Sequence, residues 1–225
     1  MRTTTLMASL ALLALASTAS AQIIAPPPVT FTGVVEAAAF EGDIICAPPT
    51  HQLACTGGTF FLYSNAVDLD QYIGQNVRLH AIQVNKGCPL YRVNSVESPA
   101  PTSLTVCGTP GFGCPVRVTS SPGGISQHML FASAVPGFWN VSYFTGVFML
   151  SEPFLVVGNV TGTLPPEGAH FDFNLPSFGP LVGVPIYLQA ARRDVGPVGE
   201  WRLSNPQCIT IVGHTLLCID PTTCF

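Results

Sequence analysis

Residues 67–97, VDLDQYIGQNVRLHAIQVNKGCPLYRVNSVE, decide the reading of the fold. Asp68 stands where a helix N-cap belongs, with Gln71 three residues on as in a capping box. Leu69, Tyr72 and Ile73, spaced i, i+3, i+4, predict one apolar helical face, and Gly74 supplies the left-handed stop. Val77, Leu79 and Ala81 then alternate along a strand, whereas Ile82 and Val84 take the other parity. A slip of period inside a strand marks a β-bulge, which this pattern puts between Ala81 and Ile82. Lys86-Gly87-Cys88-Pro89 is the turn, and residues 90–97 return as the partner strand.

Upstream, residues 22–28 form an extended entry with three consecutive prolines. Residues 29–37 alternate, with Val29, Phe31, Val35 and Ala37 on one face and a bend or bulge expected at Gly33. A Cys-bracketed loop, 46–55, then leads to the strand TFFLYS at 59–64. Two strands, a short helix and two further strands, one of them bulged, predict a small OB-like β-barrel over residues 22–97. The run VDLDQYIGQNVRLHAI…LYRVNSVE resembles the latter half of OB-fold-like modules of secreted bacterial proteins. Those modules carry an Asp-Leu-x-x-Tyr-x-Gly helix and a closing Leu-x-Val-x-x-Val strand. The resemblance covers residues 29–97 and implies fold alone.

Downstream, SPAPTSLT at 98–105 reads as a linker, set at 98–106. The rest is a series of apolar runs separated by Pro and Gly: CPVRVTS, MLFASAV, FWNVSYFTGVFML, PFLVVGNVTG, HFDFNLP, VPIYLQAARRD and EWRLSNPQCITIVG. Short strands at this spacing predict an antiparallel β-sandwich over 107–213, making the chain all-β and disulfide-stabilised. The run FDFNLPSFGPLVGVPIYLQAARRD…WRLSNPQCITIVG resembles a C-terminal module of secreted planctomycete-type bacterial proteins, in which Tyr-x-Gln-Ala and Leu-Ser-Asn recur. That resemblance implies architecture and export, with no activity attached. Residues 214–225 read as a Cys-stapled tail.

Compartment follows from the ends and the cysteines. Arg2, the apolar run 6–16 and Ala19-Ser20-Ala21 before Gln22 read as a signal peptide over 1–21, cleaved near Ala21-Gln22. No later apolar run is long enough to span a bilayer, so the mature chain is expected to be secreted or held at the cell surface. The candidate disulfide cysteines are Cys46, Cys55, Cys88, Cys107, Cys114, Cys208, Cys218 and Cys224. Eight cysteines allow on the order of 100 pairings. Spacing favours local loops, Cys46 with Cys55 and Cys218 with Cys224. The 8 basic and 12 acidic side chains give a formal charge of −4, and charged residues are 9% of the chain. With one lysine and no basic run, nucleic acid has little to bind.

The chemistry-bearing residues do not converge. Cys46, His51 and Cys55, with Asp43 nearby, have ligand types that suit zinc, but in an exported chain they read as a disulfide with a solvated His. Gly124-Ile125-Ser126-Gln127-His128 begins like a nucleophile elbow, yet His128 replaces the second Gly, and a loop is the plainer reading. Asp68 and Asp70 read as helix capping rather than a calcium site. Tyr63, Arg78, His80 and Arg92 form a candidate ligand face on the barrel. Phe138, Trp139, Tyr143 and Trp201 are either an aromatic sugar platform or core. Asn140 and Asn159 begin glycosylation sequons. The sequence implies no cofactor and no metal. It predicts a non-catalytic structural or interaction protein whose partner is an extracellular glycan or surface protein. A carbohydrate-binding module is the alternative, and a secreted hydrolase comes third.

Overall fold

The structure is a computed structural model. It describes residues 27–38, 49–58, 60–84, 89–175, 179–196, 199–213 and 218–222. The expected leader, Asp43, Cys46, Cys88, His214 and Cys224 lie outside the described residues.

Five strands close a barrel: β1 (Pro28–Ala37), β2 (His51–Leu53), β3 (Phe61–Tyr63), β4 (Asn76–Gln83) and β5 (Leu90–Glu97). Their order is β1-β2-β3-β5-β4, with β3 and β5 parallel and the other neighbours antiparallel. This is the expected OB-like barrel. Strand β1 serves two neighbours, pairing β4 through residues 28–34 and β2 through 35–37. The register runs through Gly33 without the expected bulge. Gly33 instead makes room for Leu53, whose Cδ2 would lie 2.8 Å from a Cβ there. Phe31, Phe60 and Tyr91 meet in the barrel core, Phe60 stacked on Tyr91 and Phe31 edge-on to both. Burial pushes the Tyr91 hydroxyl up to about 12.

The helix expected after Asp68 is a single 3-10 turn, Asp70–Tyr72. The Asp68 carboxylate accepts from the Asp70 amide at 3.1 Å, two residues on, so it closes a local turn rather than capping an α-helix. Ile73 is already extended, bridges Val35 and is 46% exposed, while Leu69 is buried. Gly74 takes φ +77 and ends the turn as expected. The bulge next to Ala81 exists, but its extra residue is on the partner strand. His80 faces Ser95 and Ala81 faces Val93, leaving Asn94 unpaired. Strand β4 therefore keeps Val77, Leu79 and Ala81 buried without a slip.

The remaining strands are β6 (Ser103–Gly108), β7 (Pro115–Ser121), β8 (Gly124–Ser133), β9 (Pro136–Trp139), β10 (Phe144–Thr145), β11 (Phe148–Leu150), β12 (Phe154–Leu164), β13 (Ala169–Asn174), β14 (Pro185–Asp194), β15 (Trp201–Leu203) and β16 (Gln207–Thr210). A large sheet runs β10-β15-β14-β8-β12, with β16 also on β14, and a small sheet runs β13-β7-β6. They enclose one core that includes Leu104, Val118, Leu130, Phe171, Leu188 and Ile211. On its other face the large sheet meets Phe148 and Leu150 of the β9/β11 pair, around Phe131 and Leu203.

The expected sandwich stands with four corrections. The segment 98–106 is not a free linker: Ser103–Gly108 is a full strand, and Leu104 is buried. The run 138–150 is three short strands rather than one. The pair β10/β15 is parallel. Nor do the two halves have separate cores, because Val147 and Met149 pack into the barrel's core.

Three buried polar side chains pin these layers. Gln189 accepts from the Met149 amide at 2.8 Å and donates to the carbonyls of Val147 and Ser204. Ser204 Oγ accepts from the Ala190 amide. Asn205 holds the Leu104 backbone. Gln189 and Asn205 thus supply internal hydrogen bonds to strands that do not pair directly with their own, and Ser204 extends the pairing of β14 with β15.

The expected local disulfides are overturned. Cys55 pairs with Cys208, 153 residues away, and Cys114 with Cys218, 104 residues away. Cys107 is disulfide-bonded as well. Spacing favours short closures, but the turn after β2 lies against β16, so proximity in space decides. The first bridge joins barrel to sandwich. Closures this long contribute about 5 kcal/mol each on the chain-entropy account.

Candidate functional site

Strand β12 ends the large sheet and β13 ends the small one, and among the described residues neither has a neighbour on its outer side. Gly158 brings the two edges together, because any Cβ at that position would run into the Phe171 ring. Away from this contact a cavity of about 710 Å³ lies between the sheets. Leu155 and Val157 of β12, Phe171 and Phe173 of β13, Leu188 of β14 and Ile209 of β16 are among its walls.

Among the described residues the polar lining residues are Ser133 and Asp172, and both are engaged. Ser133 Oγ donates to the Ser151 carbonyl at 2.8 Å and accepts from the Val135 amide at 3.1 Å. Asp172 receives two bonds from Arg117, at 2.7 and 3.0 Å. That guanidinium holds the Asp172 carboxyl below its ordinary value. The cavity therefore presents carbon to an occupant, with an ion pair beside it.

The β12 edge is unusual in its exposure. Phe154, Leu155, Val156 and Val157 are 38, 67, 57 and 47% exposed, four apolar residues in succession. Strands with a solvent-facing polar side alternate, so such a run departs from the pattern of an ordinary edge strand. Val156 faces Phe131 and Gly158 faces Leu130, so Val157 is a bulge residue within the run.

The residues singled out from sequence fall elsewhere. Arg78 and His80 point outward from β4 and share Glu97, at 3.5 and 2.9 Å. His80 also meets Thr30 Oγ1 at 3.1 Å. The His80 hydrogen bond, then the Arg78 charge, hold the Glu97 carboxyl below its ordinary value. Tyr63 and Arg92 are opposite each other on β3 and β5 of the same outer surface. The four thus share one face, with the side chains of Arg78 and His80 both directed at Glu97.

His51 is not a solvated loop residue. It begins β2, is buried, and its Nε2 lies 3.0 Å from Asp70 Oδ1. With Cys55 committed to Cys208, the Cys-His-Cys metal reading loses a ligand. Among the described residues no three His, Cys, Asp or Glu side chains come together as a metal site.

The elbow-like segment is strand β8, not a loop. Ser126 and His128 share a face, and Ser126 Oγ lies 3.0 Å from His128 Nε2. This is a serine–histidine contact, but both residues are fully buried, and the other ring nitrogen meets Ser120 Oγ at 2.9 Å. Burial, then the Arg192 charge, lower the His128 pKa to about 4. The ring is a neutral polar group satisfied in the core, and its serine is enclosed with it.

The aromatic set divides. Phe138 stacks on Tyr91 of the barrel core at 5.7 Å, and Trp201 lies under the Arg193 guanidinium at 4.9 Å. Trp139 and Tyr143 remain 43 and 80% exposed.

Comparison of the chain with protein-family models, with curated proteins and with solved structures finds no match. The functional reading therefore rests on the residues. No pattern in the sequence marks the cavity, because its walls come from separate strands. The one local signal is FLVVG at 154–158, apolar where an edge strand should alternate.

Proposed function

We propose that the chain is a secreted, non-catalytic interaction protein of the extracellular space or cell surface, whose binding element is the cavity between β12 and β13. The observation that carries this reading is an apolar cavity of about 710 Å³ beside the exposed run Phe154 to Val157. Cavities of this size and lining are the usual sites for small ligands. The leader-like start, the disulfides and the resemblance to modules of secreted planctomycete-type proteins support the extracellular setting. The burial of Ser126 and His128 supports a non-catalytic role.

An apolar anilinonaphthalene dye tests the site. Its fluorescence should rise with the folded protein and fail to rise with Ala132→Phe, which fills the cavity from β8. Equal signals from both proteins, at equal thermal stability, would sink the reading.

A glycan-binding role is the second reading, favoured by the exposure of Trp139 and Tyr143. A glycan array separates the two: binding lost in Tyr143→Ala but kept in Ala132→Phe supports the sugar.

A further inference from the structure

Resting on the cavity-binding reading, we infer that the site between β12 and β13 takes one unbranched aliphatic chain of a monomeric amphiphile, its polar end at the mouth beside Arg117 and Asp172. Lining chemistry carries the inference. Leu155, Val157, Leu188 and Ile209 offer only methyl and methylene groups, and the two phenylalanines add ring carbon. The polar groups of Ser133 and Asp172 are already satisfied. An occupant with hydrogen-bonding groups along its length would leave them unpaired inside.

Two other occupants fit less well. A partner peptide brings an amide every residue and would have to add to the free edge of β12. The bulge at Val157 interrupts that strand where the peptide would enter, and a bulge is a common guard of edges. A second copy joined edge to edge would cover little beyond the four exposed side chains. That falls well short of the ~800 Å² per partner buried in stable complexes. The aliphatic chain needs neither a ladder nor a wide interface. It covers the inner faces of Leu155 and Val157 and leaves its head in water.

The test is calorimetric titration of the full secreted protein with straight-chain primary alcohols, from butanol to dodecanol. Each added methylene should tighten binding about fourfold until the cavity is full, after which affinity levels off. Ala132→Phe should move that plateau to shorter chains. Leu155→Glu, at an exposed position that the fold does not need to keep apolar, should weaken every member of the series. Affinity that ignores chain length, or that both variants leave unchanged, overturns the proposal. So does sedimentation with phosphatidylcholine vesicles in the absence of alcohol binding, which would assign the apolar run to a membrane surface. An alternating apolar peptide that binds and is blocked by Ala132→Phe, where alcohols do not bind, overturns the aliphatic chain but leaves the cavity reading standing. If dye, peptide and alcohols all fail, both fall.

Discussion

The Asn205 side chain grips the Leu104 backbone from both sides, its Oδ1 accepting from the Leu104 amide at 2.7 Å and its Nδ2 donating to the Leu104 carbonyl at 3.1 Å. An asparagine thus stands in for a strand neighbour and ties β6 to the segment leading into β16. Because both residues are buried, removing the amide leaves two backbone groups without water or partner. Asn205→Ala should cost roughly 2–4 kcal/mol, and Asn205→Asp should also destabilise, since a carboxylate cannot donate to the carbonyl. Urea unfolding curves read both, and a midpoint equal to that of the parent protein would show that β6 is held by packing alone.

His128 makes stability depend on acid. Its folded pKa is near 4, against an ordinary 6.5, because the ring is buried beside Arg192, while the charge of Asp194 works the other way. Between those values the unfolded chain binds the proton and the folded chain does not, so acid favours unfolding. The contribution is fully present above about pH 6.5 and is lost as pH falls toward 4, to a total of roughly 3 kcal/mol. Denaturant unfolding at pH 7, 5.5 and 4 should show this fall, and His128→Gln should flatten it while lowering stability at pH 7. A parallel fall in the variant would assign the acid sensitivity to other groups.

The bridge from Cys55 to Cys208 closes 153 residues and crosses from barrel to sandwich. Replacing both cysteines by serine should cost roughly 3–5 kcal/mol through the freed unfolded chain. Calorimetry of the double variant checks the cost. Peptide mapping of unreduced protein should recover the 55–208 and 114–218 cross-links. Recovery of a 46–55 peptide pair would restore the local pairing read from spacing.

What was legible in the sequence was what strand periodicity records. Val29, Phe31 and Val35, and then Val77, Leu79 and Ala81, are buried as their alternation requires. Val93 and Val96, three residues apart and so of opposite parity, flank the bulge that the parity of Ile82 and Val84 puts on β4. The three-residue strand β2 was hidden because His51 and Leu53 are too few to show a period and sit between two cysteines. Strand β6 was hidden because Ser, Thr and Pro mask Leu104, whose burial depends on Asn205 a hundred residues on. Disulfide partners and cavity walls were illegible for the same reason: both are contacts between distant strands, and local spacing carries no record of them.

Gly158 and Phe171 are where the two sheet edges touch, and they set how far the cavity extends. The absence of a Cβ at Gly158 lets the Phe171 ring lie on the β12 backbone. The glycine is there for space, because its φ is not among the positive values in the chain. Gly158→Ala should push the ring aside, toward the cavity that Phe171 also lines, at a cost of roughly 1–3 kcal/mol from overpacking. Phe171→Leu alone should cost a similar amount through lost contact. Together the two changes should cost less than their sum, because the smaller side chain makes room for the new methyl group. A double-mutant cycle by chemical denaturation measures that coupling. Strict additivity would mean that the ring and the glycine do not meet in solution and that the edges are held apart by something else.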